Sequence, residues 1–501
     1  MQNKIFALTT LVASTVTLAQ ELPNPNPAPQ ADGTQIWYVG NNTQYPVIQD
    51  VLAACSDGDE IVVNGAAGTG APALYVESLM IDNKDMLTLR PRVRINNAGT
   101  SMEFDNVAFL NPTQGFNNDN KYAMHIKGSR GSYIGNPRSV NELLNGQEAI
   151  VVLDDQAAFS LPAAGGAVAT RIAQGSNDQA FVFMSRSFDD VSILLDGSSC
   201  TVSDCGMAPQ QGVGGGVMAY NGDNSSLVEC TITGFTSTGN AHAISGLPVC
   251  AVSMKNSTTT MSGCSIDSNF AANSGIVNLD GGAPRFEQTA ITNSNAQASL
   301  GTVMGSGGSA EFIRCAFGTQ AAADGNTSNL GTIYWDASAS TGMYAFTQCD
   351  FDNNLTAETT QGWGEIAYVV DSTATGAAVD PKISFSGCEY ATAVAAPGPY
   401  GTMAGNIPEE SAIYTPYLPE YRLHSDWGDS ALGNSASGLN VVDNGGNGVP
   451  GDVDGNAAVD FADLDALMSL LGTCQYDPTR DGEIGFADVL SILNSWGEIC
   501  E

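Results

Sequence analysis

The chain has 501 residues, 43% of them hydrophobic and only 14% charged, with 56 glycines, which is ample material for a core and about the length of three average domains. Lys and Arg total 17 against 53 Asp and Glu, a formal charge of -36, which argues against nucleic acid or anionic membrane as partners and makes cations the expected charged ligands. Beyond the N-terminal stretch no apolar run approaches the roughly 18 residues needed to cross a bilayer, so no membrane span is expected; His125, His242 and His424 are too far apart in sequence for a histidine-based zinc site.

Residues 1–19 have the format of a signal peptide: Lys4 supplies the positive end, residues 5–16 are mostly apolar, and Thr17-Leu18-Ala19 is a small-x-Ala cleavage site. Gln20 would begin the mature chain, and no Cys follows the cut to carry a lipid. The protein is therefore expected to be secreted, to the medium or the cell surface. Residues 20–35 are proline-rich and read as a linker.

A repeat follows. Its unit is an apolar residue, two variable residues, Cys, one variable residue and an apolar residue: Leu227/Cys230/Ile232, Met261/Cys264/Ile266, Phe312/Cys315/Phe317, Phe346/Cys349/Phe351 and Phe385/Cys388/Tyr390, with Phe286/Thr289/Ile291 as a copy without Cys. The step of two after Cys is the strand period, whereas the step of three before it breaks alternation and implies a corner between short strands. Upstream of these units lie Gly215-Gly216-Val217, Ser274-Gly275-Ile276, Gly301-Thr302-Val303, Gly331-Thr332-Ile333 and Gly364-Glu365-Ile366, a second strand element. Successive Cys-equivalent positions are 34, 25, 26, 34 and 39 residues apart. One such unit can bury its apolar face only against the next copy, so the expected architecture is a solenoid with a basic coil of about 25 residues. The repeated cysteines are expected to stack inside it as free thiols. Cys200, Cys205 and Cys250 are less regular, and a local disulfide among them stays open.

These units resemble right-handed parallel β-helix proteins of the pectin-lyase-like type, especially the repeats of bacterial polymorphic outer-membrane proteins. Their apolar-x-x-Asn signature is matched at Ile266 to Asn269 and Phe351 to Asn354, and departed from at Phe235, Ser294 and Gln320. Residues 36–39, 45–55, 57–63 and 75–78 look like the opening of such proteins, where an amphipathic helix closes the end of the coil; Ile48, Val51, Leu52 and Cys55 fall at the spacing of such a cap. The resemblance implies a mainly β domain, a right-handed parallel β-helix with an N-terminal capping helix, over 36–435. At 25 to 35 residues per turn that is on the order of a dozen rungs about 4.8 Å apart.

A Gly/Asn-rich linker, 436–450, leads to a duplicated unit over 451–501. Asp452, Asp454, Asn456, Asp460 and Asp463 occupy positions 1, 3, 5, 9 and 12 of an EF-hand-like loop, the register that wraps a hard cation in oxygens. Asp477, Thr479, Asp481 and Asp488 repeat positions 1, 3, 5 and 12, with Gly485 at 9, so the second loop should bind more weakly. Each loop leads into a short apolar-striped helix. The pair resembles a type I dockerin, which implies a small α-helical calcium-binding module, Ca2+ as its cofactor and a cohesin-like protein as a possible partner. Cys474 and Cys500 end the two copies at similar places and are expected to form a disulfide.

The hydrolases of this fold carry Asn-Thr-Asp, Asp-Asp, Gly-His-Gly and Arg-Ile-Lys signatures; here only Asp-Asp occurs, at Asp154-Asp155 and Asp189-Asp190. Arg186 beside Asp189 and Asp190 is a candidate lyase base with its acids, and Arg90, Arg92 and Arg94 alternate so as to face outward on one strand as a candidate grip for an anionic ligand. Three readings compete: a noncatalytic β-helix binding polysaccharide or cell-envelope polymer on its flank, a polysaccharide lyase or glycoside hydrolase, and a structural or adhesive rod.

Overall fold

The corner implied by each apolar-x-x-Cys-x-apolar unit is where the architecture is decided. In a computed structural model of the chain, Ser226–Val228 and Thr231–Thr233 are separate strands with Glu229 and Cys230 between them. The residue before Cys230, Cys264, Thr289, Cys315 and Cys349 is left-handed: Glu229 has φ 52°, Gly263 63°, Gln288 49°, Arg314 53° and Gln348 53°. That conformation, costly for an L-residue, turns the chain from one sheet into the next and throws main-chain carbonyls toward the interior. The cysteine satisfies them. Cys230 Sγ donates to Val202 O at 3.4 Å, Cys264 Sγ to Leu227 O at 3.5 Å, Cys315 Sγ to Phe286 O at 3.4 Å and Cys349 Sγ to Phe312 O at 3.3 Å, each reaching one coil back. Thr289, in the copy without Cys, does the same through Oγ1 to Met261 O at 3.3 Å. The position therefore selects a small side chain that carries one donor.

One full coil runs through Gly215–Tyr220, Ser226–Val228, Thr231–Thr233 and Thr236–Ser237 before the next begins at Val252–Ser257. Stacking of successive coils builds sheets of 10, 12, 11 and 5 strands from these four segments, called here the second, first, third and fourth sheets in that order. All their pairings are parallel except that of Ala28–Pro29 with Gln35–Gly40 at the end of the first sheet. Eleven of the twelve strands of the first sheet pair in parallel, one per rung, close to the dozen rungs expected from coil length. The structure describes residues 26–66, 71–95, 102–112, 121–135, 150–152, 158–160, 179–296, 299–319, 325–329, 331–336, 342–352, 354–356, 367–370, 383–386, 388–391, 413–414 and 435–437. The signal peptide, Asp154-Asp155, and the 451–501 module with its calcium-ligand candidates, Cys474 and Cys500 lie outside the described residues.

Register stacks like on like. Leu227, Met261, Phe286, Phe312, Phe346 and Phe385 are successive partners in the first sheet, and Phe286, Phe312 and Phe346 pack ring on ring at 4.8 and 4.7 Å. That is the inter-strand spacing itself, so the aromatic column is as regular as the backbone ladder. Among the described residues every cysteine is free and buried. Cys205, whose spacing looked irregular, belongs to the same column: it follows Asp204 (φ 54°) in a Val202/Cys205/Met207 unit and lies beside Cys230. Cys200 and Cys250 hydrogen-bond locally, to Ser225 Oγ and Val252 O, and form no disulfide.

A second ladder stands at the corner after the third sheet. Asn269 Oδ1 accepts from Phe235 N at 3.0 Å while its Nδ2 donates to Ile232 O at 3.1 Å. Ser294 continues it, then Asn326, whose Oδ1 accepts from Ser294 N and whose Nδ2 donates to Ile291 O at 2.7 Å, then Asn354. Gln320 is therefore not the departure it looked to be in the sequence, since an insertion displaces the ladder residue to Asn326. At the corner from second to first sheet, Asp223 is fully buried and accepts from Ser198 N, Ser225 N and Oγ, and Thr259 Oγ1 at 2.8–3.2 Å.

The helix Ile48–Ala54 covers the end of the coil as expected, burying Ile48, Val51 and Leu52. Gln49 fills the place of a further strand: its Oε1 accepts from Met80 N at 2.6 Å and its Nε2 donates to Met80 O, which blocks the exposed edge of the second sheet. Two boundaries move. Residues 26–35, expected as linker, are folded, with Asn26 bonded through its side chain to both Tyr38 N and O, and the last strand, Ser435–Ser437, runs past the expected limit to pair with Glu389–Ala391.

Interchange at the thiol column tests this account. Cys264→Thr should be near neutral, whereas Cys264→Ala should cost on the order of 1 kcal/mol and Asn326→Ala about 2 kcal/mol or more, because buried main-chain groups lose their partners. Urea denaturation of the variants measures these differences; equal losses for Cys264→Thr and Cys264→Ala would contradict the donor role.

Candidate functional site

The outward face of the second sheet begins as two rows of side chains. Register places Lys127, Asp196 and Tyr220 in one row and His125, Leu194 and Met218 in the other. Farther along, the first row continues through Lys255, Asp280, Ser306 and Asp336 and the second through Ser253, Asn278, Met304 and Tyr334. Lys255 pairs with Asp280 at 2.7 Å and Ser306 Oγ donates to the same carboxylate at 3.3 Å. Met304 and Tyr334 are half-buried. The backbone register then aligns Tyr334 with Tyr368 and Tyr368 with Tyr414 on consecutive rungs. No spacing rule showed this row in the sequence, because the coils differ in length; only the strand pairing brings it together.

Upstream, the same face is covered by the chain itself. Residues 240–249 form a hairpin closed by His242 N to Leu247 O and the antiparallel bridge of Ala241 with Pro248. Leu247 and Val249 pack with Tyr122, Val191, Leu194, Met218 and Tyr220 into an apolar cluster outside the coil. His242 pins it: Nε2 lies 2.9 Å from Lys121 O and Nδ1 lies 3.3 Å from Ser245 Oγ. This geometry gives Nε2 the proton. Burial holds the His242 imidazole below its ordinary pKa, against the opposing effects of the Lys121 carbonyl and of Asp190 and Asp189.

The catalytic candidates belong to this anchor. Asp189 pairs with Lys121 Nζ at 2.9 Å and accepts from Ser187 Oγ at 2.7 Å. Burial raises its pKa, but those hydrogen bonds and the lysine charge prevail and the carboxyl stays below its usual range. Asp190 is buried and raised by that burial, its side chain bonded to Ser187 and to Asn111; Asn111 Oδ1 in turn accepts from Ser78 Oγ at 2.8 Å. No ion pair joins Arg186 to either acid. One carboxylate is neutralised and the other is sealed in, so the three do not form a base-and-acid constellation.

The arginine stripe also needs correction. Arg90 lies outward on Thr88–Pro91 and pairs with Glu60 Oε1 at 2.5 Å. Arg92 falls between that strand and Val93–Ile95 and is only 4% exposed, with Nη1 3.1 Å from Asn64 Oδ1. Arg90 is ion-paired and Arg92 is buried, so the two do not make an exposed basic stripe, and Arg94 is placed by its backbone alone, opposite Glu103. Among the described residues no group of three or more His, Cys, Asp or Glu side chains is arranged to hold a metal ion, and no helix is long and apolar enough to cross a membrane.

No family model matches the chain, and no curated protein matches it. Among solved structures, the siphovirus 9NA tailspike receptor binding domain aligns with 71% of this chain and 74% of its own at 9% identity and a TM-score of 0.18. The fold assignment rests on the strand pairing of this chain.

The hairpin anchor gives a pH dependence. A histidine whose folded pKa is lowered binds fewer protons than the unfolded chain, so its contribution is present above the unfolded value of about 6.5 and is lost as pH falls below it, at no more than about 1.4 kcal/mol per pH unit. Comparing urea midpoints at pH 7.5 and 5.5, His242→Gln should show a smaller acid loss than the parent, His125 and the carboxyls being common to both. An equal or larger loss would contradict the anchor.

Proposed function

We propose that the protein is secreted and binds a polysaccharide lengthwise along the outer face of the second sheet, on the rungs that carry Met304 and Tyr334. The observation that carries this reading is the register row Tyr334, Tyr368 and Tyr414 beside the hydrogen-bonding row Asp280, Ser306 and Asp336. Aromatic rings offer flat apolar area with a polar handle, carboxylates and hydroxyls take the hydrogen bonds of sugar hydroxyls, and the rung spacing of about 4.8 Å is comparable with one sugar unit of an extended chain. A formal charge of -36 and acids within the row favour an uncharged glycan over a polyuronate.

In the same proposal the β-helix is right-handed, as parallel crossovers nearly always are, and the 451–501 module docks or sorts the protein through Ca2+. Support for the module lies in the sequence: two loops place Asp452, Asp454, Asn456, Asp460 and Asp463, and Asp477, Thr479, Asp481 and Asp488, at cation-binding positions. A cohesin-like protein is the partner that such a module would take.

Retention in affinity electrophoresis through neutral polysaccharides tests the reading. Tyr334→Ala should weaken retention at least tenfold with an unchanged circular dichroism spectrum, and EGTA should leave retention intact while shifting Trp496 emission. Equal retention of parent and Tyr334→Ala would remove the second sheet from the account.

A further inference from the structure

We infer that the binding strip is closed at its upstream end by the 240–249 hairpin, so that the protein takes a glycan by its chain terminus and not along its middle. This rests on the glycan reading above and adds to it the part of the polymer that is recognised.

The row that carries Tyr334 can be followed rung by rung toward the N-terminus. Tyr334 and Met304 are half-buried. At the next rung Asn278 is already engaged by the loop around it, its Nδ2 bonding Cys250 Sγ at 3.1 Å and Gly275 O at 3.1 Å. Ser253, Met218 and Leu194 follow at 0% exposure. What covers Met218 and Leu194 is identified: Leu247 and Val249 of the hairpin lie in one cluster with them, and Ser245 Oγ stands 3.3 Å from Met218 Sδ. The cover reaches a further rung, since His242 bonds Lys121 O, next to Tyr122. A wall therefore spans three successive strands of the sheet, Tyr122–Lys127, Val191–Asp196 and Gly215–Tyr220.

The wall is built to stay. Its underside is apolar, its base is tied to a main-chain carbonyl and, through Lys121, to Asp189, and lifting it would expose Leu194 and Met218 together. A polymer lying on Met304 and Tyr334 cannot continue over Met218 and must end near Asn278. In the other direction the aligned positions Tyr368 and Tyr414 continue the row away from the wall, so the remainder of the chain leaves by that side.

Molar stoichiometry separates the two modes. Size-fractionated linear β-1,3-glucan and β-mannan, titrated calorimetrically into the full-length protein, should bind one protein per glycan chain at every chain length once the strip is filled. Protein bound per chain rising in proportion to length would overturn the closed end while leaving glycan binding standing. No heat with any fraction of either glycan, together with no retention on any neutral polysaccharide, would overturn the glycan reading and the inference with it.

Discussion

A coil that turns sharply three or four times per rung points main-chain carbonyls into a dry interior, and each of them must find a donor. Everything else in the structure follows from how that is done. A buried unpaired carbonyl costs about 1–3 kcal/mol, and a solenoid repeats the cost at every coil. Here each corner carries its own remedy: thiols and one threonine after the left-handed residue, an asparagine ladder after the third sheet, and the Ser257 hydroxyl on Asp223 O after the second. Because each donor reaches the neighbouring coil, the same bonds that satisfy the corner also set the register.

The cysteine column was visible in the sequence because its spacing within the unit is fixed, and so were the apolar partners and the capping helix. The reason for cysteine was not visible, since a small buried hydrophobe predicts the same pattern; the Thr289 bond to Met261 O distinguishes a donor from a mere filler. Insertions hid the rest. Asn326 comes after an insertion that sequence counting could not subtract, and Cys205 lies in a copy whose other apolar positions are Val202 and Met207. Arg92 was expected at the surface from alternation alone, which does not reveal that its guanidinium is buried against Asn64.

The functional surface was the least legible. Tyr334, Tyr368 and Tyr414 become neighbours only through the pairing of strands separated by long excursions, and the hairpin that ends their row is an excursion with no repeat of its own. Asp189 and Asp190 attracted notice as an acidic pair, yet their environments make them part of the hairpin's footing: one holds Lys121, the other is buried against Asn111. In a fold whose interior is monotonous, individuality sits in what each coil adds outside it.

Hydrogen exchange across the corners tests the central claim most directly. If the corners are held by ladder donors, peptides spanning 226–233, 260–267 and 285–292 should be protected to the same degree as the strands on either side, since corner and strand open together. Exchange of those corner amides at the rate of exposed loops, with the strands still protected, would show that the corners are passive links and that the ladders do not hold the coil.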